Sequence, residues 1–219
     1  MDPLPGPTRF VLPIWFDLTA VLLLAVTGAW VAVRKGYDYV GVFFLALVAG
    51  VGGALLRDVV FIAQGPPAAV QDSRYLGAVA LGAVVGVLSF GRGPRFERLF
   101  AVVDALGLGV YAIVGAQKAL DAGLQPLAVL LAGVGNATGG GILRDLLVGS
   151  EPLVFKPGQF YVLAALAGCA TFLVMRAGFD VSVGTASVTS ILLTFALRLL
   201  AIRFNWQTRP AAQRRATRA

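Results

Sequence analysis

This chain of 219 residues contains seven apolar stretches. Each is close to the length of about 20 apolar residues that a helix needs to cross a bilayer, and the gaps between them combine turn formers with charges. In the whole chain 58% of the residues are hydrophobic and only 13% are charged, too few to coat a water-soluble globule. We therefore predict an all-α membrane protein whose seven transmembrane helices span residues 14–33, 39–63, 74–90, 98–116, 125–148, 159–176 and 184–203.

One phrase occurs twice, as GGALLRD at residues 52–58 and as GGGILRD at residues 139–145. The offset of 87 residues between the copies also relates Asp17 to Asp104, which indicates an internal duplication. Each repeat holds three helices, an odd number, so the second repeat crosses the membrane in the opposite direction and the repeats are inverted. The predicted units are two three-helix repeats, a seventh helix and a basic cytoplasmic tail, at residues 12–91, 98–177, 184–203 and 204–219.

Positive charge in the loops predicts the orientation. Eleven lysines and arginines fall on one side of the membrane, five of them in the tail, against four on the other side. Because the side richer in positive charge is cytoplasmic, the N-terminus is predicted outside and the C-terminus inside. The same residues predict anionic lipid headgroups as partners, and their position in short gaps argues against nucleic acid.

The residue types exclude most catalytic chemistry. The chain has no histidine and one cysteine, Cys169, which lies in an apolar run. His-based metal sites and disulfides are therefore excluded, and no phosphate-binding loop or paired carboxylates in a soluble cleft are found. We expect neither an enzyme nor a bound metal or cofactor.

Glycines crowd the middle of the second and fifth helices. Each glycine costs about 1 kcal/mol relative to alanine in a helix, so we predict a loosened turn whose free carbonyls face a cation. Close helix packing through small residues is the alternative interpretation. The predicted pore and kink residues are Gly50, Gly52, Gly53, Gly135, Asn136, Thr138, Gly139, Gly140 and Gly141.

Charged residues border these glycines. The predicted gating and ion-pair residues are Asp17, Arg57, Asp58, Asp104, Arg144 and Asp145. By helix depth Asp17 is expected to face Arg57, and Asp104 to face Arg144, in pairs that gate the path or serve only as structural contacts. Asp58 and Asp145 are rotated by about 100° from their arginines, so they are expected to be free to cap a loop or attract a cation. Four aspartates against two arginines would favour cations.

Other polar residues receive smaller roles. Lys118 and Asp121 are expected to be solvated in a loop. Thr27 could line the path, but a threonine in a membrane helix usually bonds its own backbone.

Seven spans, an inverted repeat and a GGxLLRD-like phrase closing the second helix of each repeat resemble the prokaryotic trimeric intracellular cation (TRIC) channels. The resemblance covers roughly residues 12–203 and rests on both copies of the phrase. It implies a homotrimer with one pore per protomer, bounded by kinked second and fifth helices and permeable to potassium and other monovalent cations. Ala54 replaces the glycine found at Gly141, so the two kinks need not be equally sharp. The lysine–glutamate–valine motif of animal members has no match, so their calcium or phosphoinositide regulation is not implied.

A secondary transporter for a small zwitterion such as glycine is the alternative function, because inverted repeats with broken helices are common in transporters. Such a protein needs a midplane site that binds both carboxylate and ammonium, and Asn136 and Thr138 supply little charge there. We therefore predict a channel in the cell inner membrane.

Overall fold

The structure is a computed structural model that describes residues 13–63, 66–156 and 160–206, and these residues form helices without strands. Two helices continue as π-helical segments, α2 over Arg57–Ile62 and α7 over Val174–Gly178. The predicted basic tail beyond residue 206 lies outside the described residues. The helices are α1 Ile14–Arg34, α2 Tyr39–Leu56, α3 Ala68–Gln71, α4 Ser73–Ser89, α5 Pro94–Asp121, α6 Pro126–Leu147, α7 Tyr161–Leu173 and α8 Val183–Arg203.

The predicted membrane helices are present. Six helical segments of the described chain are at least 18 residues long and apolar enough to cross a membrane, and α4 is an apolar helix of 17 residues. The all-α fold with seven spans is therefore confirmed. One boundary differs: α5 continues to Asp121, so Lys118 and Asp121 are helical and the expectation that they lie in a loop is wrong.

The helices form two three-helix bundles that pack against each other. In the first, α1 packs on α2 and α4; in the second, α5 packs on α6 and α7. The bundles join through α2 against α6 and α1 against α5, while α8 packs on α5 and α7. The crossing of α2 and α6, which carry the two copies of the repeated phrase, therefore lies at the centre of the molecule.

Glycine contacts at this crossing are reciprocal. A Cβ at Gly53 would overlap the Asn136 carbonyl, and a Cβ at Gly140 would overlap the Ala49 carbonyl. The offset of 87 residues relates Gly53 to Gly140 and Ala49 to Asn136, so the same contact occurs twice. Such reciprocity is the mark of a two-fold axis. Because each repeat has three spans, the axis lies in the membrane plane, and the inverted repeat is confirmed.

The glycines do not break their helices. Regular α-helix runs through Gly50, Gly52 and Gly53 in α2 and through the glycines of α6. The predicted loosened turn is therefore wrong for this structure, and the alternative of close packing through small residues applies at the crossing. The irregular backbone begins later, at Arg57 near the end of the first copy of the phrase, whereas α6 stays α-helical through the second copy. Repeats with the same sequence pattern thus differ in backbone geometry.

Candidate functional site

The centre of the α2–α6 crossing holds a buried polar network. The Tyr111 hydroxyl donates to the Gly50 carbonyl at 2.5 Å, and Asn136 Nδ2 donates to the Tyr111 carbonyl at 2.6 Å. Asn136 Oδ1 accepts a hydrogen bond from Arg57 Nη1 at 3.3 Å. Asn136 and Arg57 are fully buried. The centre is therefore closed by side chains that bond each other and backbone carbonyls, and the Gly50 carbonyl is occupied by Tyr111.

The predicted pore residues divide between several places. Gly52 and Gly139 make a second reciprocal contact, each with a leucine of the opposite helix, while Gly50 packs against α1 and Gly135 against Phe61. Thr138 donates to the carbonyl of Val134 in its own helix at 2.8 Å. Four of the glycines thus form the helix crossing; the rest lie around it. The four glycines at the crossing are Gly52, Gly53, Gly139 and Gly140.

Each predicted arginine pairs with the aspartate that follows it. Arg57 Nε lies 2.7 Å from Asp58 Oδ1, and Arg144 Nε lies 2.8 Å from Asp145 Oδ1. The expectation that these aspartates are free is therefore wrong. Successive residues on a helix point in directions about 100° apart, but an arginine can still pair with the residue that follows it, because its long side chain can fold back. Burial of an arginine without a counter-charge costs several kcal/mol, which favours the nearest carboxylate.

The remaining partners of these pairs differ between the repeats. Asp58 Oδ2 accepts from the backbone N–H of Ala68, so its predicted capping role is confirmed at the start of α3. Arg144 Nη1 donates to Thr27 Oγ1 at 3.0 Å, and the Arg144 guanidinium lies 5.8 Å from the Phe100 ring centre. The Thr27 hydroxyl also donates to the Leu24 carbonyl of its own helix.

Asp17 has partners that the sequence did not indicate. Its Oδ2 accepts from the Tyr75 hydroxyl and from Lys118 Nζ, both at 2.5 Å. Asp17 makes its ion pair with Lys118, so the predicted facing of Asp17 and Arg57 is an electrostatic contact and not an ion pair. Asp17 Oδ1 and Arg57 Nη2 are buried and lack a hydrogen-bond partner among the described residues, although Arg57 is within electrostatic range of Asp17. The extension of α5 beyond its predicted end brings Lys118 to Asp17.

Asp104, the counterpart of Asp17, is also buried. Arg144 makes its ion pair with Asp145, and Asp104 is an electrostatic neighbour of Arg144 without being its ion-pair partner. The charged neighbours of Asp104 are Arg144, Arg198 and Asp145. Arg198 comes from α8 and its guanidinium lies 4.8 Å from the Tyr161 ring centre. Sequence reasoning missed Arg198, although an arginine inside an apolar run is a signal of function.

The charge balance also differs from the prediction. Lys118 and Arg198 join Arg57 and Arg144, so four cationic side chains stand near the four aspartates. Lys118 and Arg198 therefore change the predicted balance of four aspartates against two arginines. Asp72 and Asp121 add two further carboxylates at the first mouth.

The two ends of the site differ in their open space. Near Asp17 a cavity of about 290 Å³ is lined by Asp72, Tyr75, Lys118 and Asp121. We call this end the first mouth. The hydrogen bonds that Arg74 donates to Asp72 hold the pKa of that carboxyl below its usual value, so it remains ionised at the cavity edge.

At the other end, Thr138, Gly141, Arg144, Asp145 and Tyr161 surround a space with no room for a water molecule. We call this end the second mouth. The structure thus has an open cavity at the first mouth, a hydrogen-bonded network of Arg57, Tyr111 and Asn136 at the centre, and a closely packed second mouth. A path through this site requires the centre and the second mouth to open.

A family model described as glycine transporter matches the chain twice, at residues 14–90 and 101–177. Both boundaries of the second match lie 87 residues after those of the first, the offset found between the copies of the repeated phrase. The family is thus defined by one three-helix repeat, and this chain contains it two times.

Two relatives are known only as membrane proteins. A UPF0126 membrane protein of Deinococcus radiodurans is 41% identical over 155 residues, which cover 70% of this chain and 72% of the relative. The UPF0126 inner membrane protein YadS of Escherichia coli K12 is 30% identical over 196 residues, 89% of this chain and 94% of the relative.

Solved structures share the whole fold. The crystal structure of the TRIC trimeric intracellular cation channel orthologue from Rhodobacter sphaeroides has 33% identity and a TM-score of 0.80, and covers 87% of this chain and 97% of its own. A prokaryotic TRIC channel crystallised in 0.5 M KCl has 25% identity and a TM-score of 0.78, covering 87% of this chain and 95% of its own.

Proposed function

Because this chain belongs to the prokaryotic TRIC channels and to the family described as glycine transporter, we propose that it is a monovalent cation channel that conducts potassium through one pore per protomer. The observation that carries the proposal is the agreement of the whole fold with a trimeric intracellular cation channel at a TM-score of 0.80 and 33% identity. The chain is a membrane protein, as its seven apolar helices and its relatives indicate.

The proposed path follows the α2–α6 crossing from the first mouth to the second. In the first mouth, the carboxylates of Asp17, Asp72 and Asp121 border a cavity of about 290 Å³. The central network of Arg57, Tyr111 and Asn136 closes the path in this structure. Because the glycine contacts at the crossing join backbone to backbone, α2 and α6 must slide or separate for an ion to pass.

Gating is proposed to act through the charged groups at both ends. At the first mouth, Asp17 is held by Lys118 and Tyr75. At the centre and second mouth, the pairs Arg57–Asp58 and Arg144–Asp145 are buried. Parting of a buried pair leaves two unsatisfied charges, so a change in membrane potential or a permeating cation that stabilises the separated state would favour opening.

We also propose a homotrimer in the cell inner membrane, with the N-terminus outside and the C-terminus in the cytoplasm. Similarity to the trimeric intracellular cation channel orthologue of Rhodobacter sphaeroides supports the trimer, and similarity to the inner membrane protein YadS supports the location. The basic residues near the ends of α1 and α5 support contact with anionic lipid headgroups, since such lipids attract lysine and arginine.

The repeat boundaries 12–91 and 98–177 are part of the same proposal and agree closely with the two family matches.

Purified protein in planar bilayers tests the channel. With KCl on both sides we expect discrete current steps, and across a KCl/NaCl gradient the reversal potential reports the preference for potassium over sodium. Empty liposomes fused under the same conditions are the control. Protein that binds to and folds in the bilayer but never gives unitary currents would contradict the proposal.

A transporter for a small zwitterion is the second candidate. It is favoured by the match to the glycine transporter family model. The cavity of the first mouth also places the Lys118 ammonium beside carboxylates, and only this mouth is open, since the second is closed. Proteoliposomes loaded with buffer and given radiolabelled glycine separate the two functions. Saturable uptake without unitary currents supports the transporter, whereas currents without uptake support the channel.

A further inference from the structure

The cationic residues near the two symmetry-related aspartates include two that the duplication does not relate. Asp17 is bonded to Lys118, whose equivalent position in the first repeat is Val31. Asp104 has Arg198 as a charged neighbour, and Arg198 belongs to α8, which lies outside both repeats. The inverted repeat therefore fixes where the acidic groups lie, while separate elements supply their counter-charges.

The place of α8 is set by close contacts with α5 and α7. A Cβ at Gly109 of α5 would lie 3.1 Å from the Ile191 carbonyl, and a Cβ at Gly168 of α7 would overlap the Thr194 side chain. Arg198 lies four residues after Thr194, about one helical turn, so it is on the same buried face of α8. These contacts fix the depth of α8 beside α5 and α7.

Arg198 reaches the wall of the second mouth. It is 3% exposed, and its guanidinium stacks over the ring of Tyr161, which is 6% exposed. Tyr161 itself lines the closed space together with Arg144 and Asp145. The aromatic ring therefore lies between the arginine of α8 and the motif of the second repeat.

We propose that Arg198 holds the second mouth closed and thereby makes α8 part of the gate. It balances the Asp104 carboxylate and keeps Tyr161 packed against Arg144 and Asp145. Near the second mouth the two carboxylates, Asp104 and Asp145, are matched by the two guanidinium groups. Loss of Arg198 leaves one negative charge in a space of low dielectric, which draws in water or a cation and separates the packed groups. Arg198 is a positioning residue, and its gating role rests on the proposed channel function.

Cysteine labelling tests this inference without a current measurement. In a Cys169→Ala background, Thr138→Cys places a thiol in the closed second mouth, where we expect slow reaction with a membrane-impermeant cationic thiosulfonate added from that side. Adding Arg198→Gln is expected to raise the reaction rate about tenfold or more, because one partner of a buried charge pair is removed. Arg203→Gln, an exposed site in the same helix with the same charge change, is expected to leave the rate unchanged.

Two further variants identify charge as the cause. Arg198→Lys keeps the charge and is expected to label slowly, and Asp104→Asn combined with Arg198→Gln restores neutrality and is expected to label slowly as well. These two variants carry the test if Arg198→Gln alone does not fold, and fast labelling of either overturns the proposal. A wild-type rate in folded Arg198→Gln, or an equal rise in Arg203→Gln, also overturns it. Wild-type protein without currents would contradict the channel function but leave the labelling result valid.

Discussion

Each buried arginine of the repeated phrase pairs with a carboxylate that its own side chain can reach. Arg57 is fully buried, and its Nε and Nη1 groups bond Asp58 and Asn136. Arg144 does the same with Asp145 and Thr27. Each pair leaves little net charge inside the helices, which is what makes an arginine tolerable in a membrane. The sequence identified the charged residues correctly but not their partners, because helix depth ignores the length of arginine and lysine stems.

Replacing Asp58 by Asn is expected to destabilise the protein by about 3–5 kcal/mol, because the Arg57 guanidinium loses its counter-charge inside the structure. The melting temperature of detergent-solubilised protein is the measurement. Asp180→Asn is the matched control: Asp180 is exposed and its ion pair with Arg176 is long, at 3.9 Å. Equal melting temperatures for the two variants would contradict the assignment of Arg57–Asp58 as a stabilising pair.

Replacing Lys118 by Gln is expected to raise the open probability or the unitary conductance about two- to tenfold, since the Asp17 carboxylate at the first mouth then attracts cations without a competing ammonium. Single-channel recording in symmetric KCl measures both quantities. Lys156→Gln removes the same charge from an exposed site and serves as the control. If both variants conduct like the wild type, Lys118 has no part in gating.

At the level of helices, the crossing of α2 and α6 depends on the absence of side chains. Gly53 and Gly140 each contact a carbonyl of the opposite helix, and Gly52 and Gly139 each contact a leucine of it. The length of the apolar stretches predicted both helices to within a few residues. It did not reveal that the glycines serve packing, because a glycine run looks the same in sequence whether it loosens a helix or lets another helix approach.

Replacing Gly53 or Gly140 by Ala is expected to lower stability by more than about 2 kcal/mol, because the added methyl group overlaps backbone atoms that cannot move separately from their helix. Thermal unfolding and the yield of monodisperse protein report the effect. Gly77→Ala in α4 is the control: a Cβ there meets nothing within 4 Å, so it should be neutral or stabilising. A folded Gly53→Ala protein as stable as Gly77→Ala would show that the two helices can move apart at little cost.

The whole molecule is symmetric in its backbone plan and asymmetric at its ends. The repeats share their helix order and the contacts at the crossing, yet one mouth holds a cavity of about 290 Å³ and the other has no room for water. The difference comes from residues without symmetry mates, among them Lys118, Tyr75 and Arg198. A molecule of this design can respond differently to ions on its two sides.

The proposed orientation places the first mouth outside the cell. In a Cys169→Ala background, Asp121→Cys is therefore expected to react with a membrane-impermeant thiol reagent in intact cells, because Asp121 lines the open cavity of the first mouth. Lys156→Cys, in an exposed loop at the opposite end, is expected to react only after permeabilisation. The extent of labelling is read from gels, and the reverse pattern would show that the topology is opposite.

The sequence by itself determined the seven spans, the inverted duplication and the charged residues of the repeated phrase, since hydropathy and repetition are properties of the chain alone. Only the tertiary structure decided which charges meet, why the glycines are needed and which mouth is closed. Those properties depend on the rotation and depth of helices relative to one another. Lys118 reaches Asp17, and Arg198 reaches Tyr161, across helices that are distant along the chain. Such contacts arise from packing, which local sequence patterns do not specify.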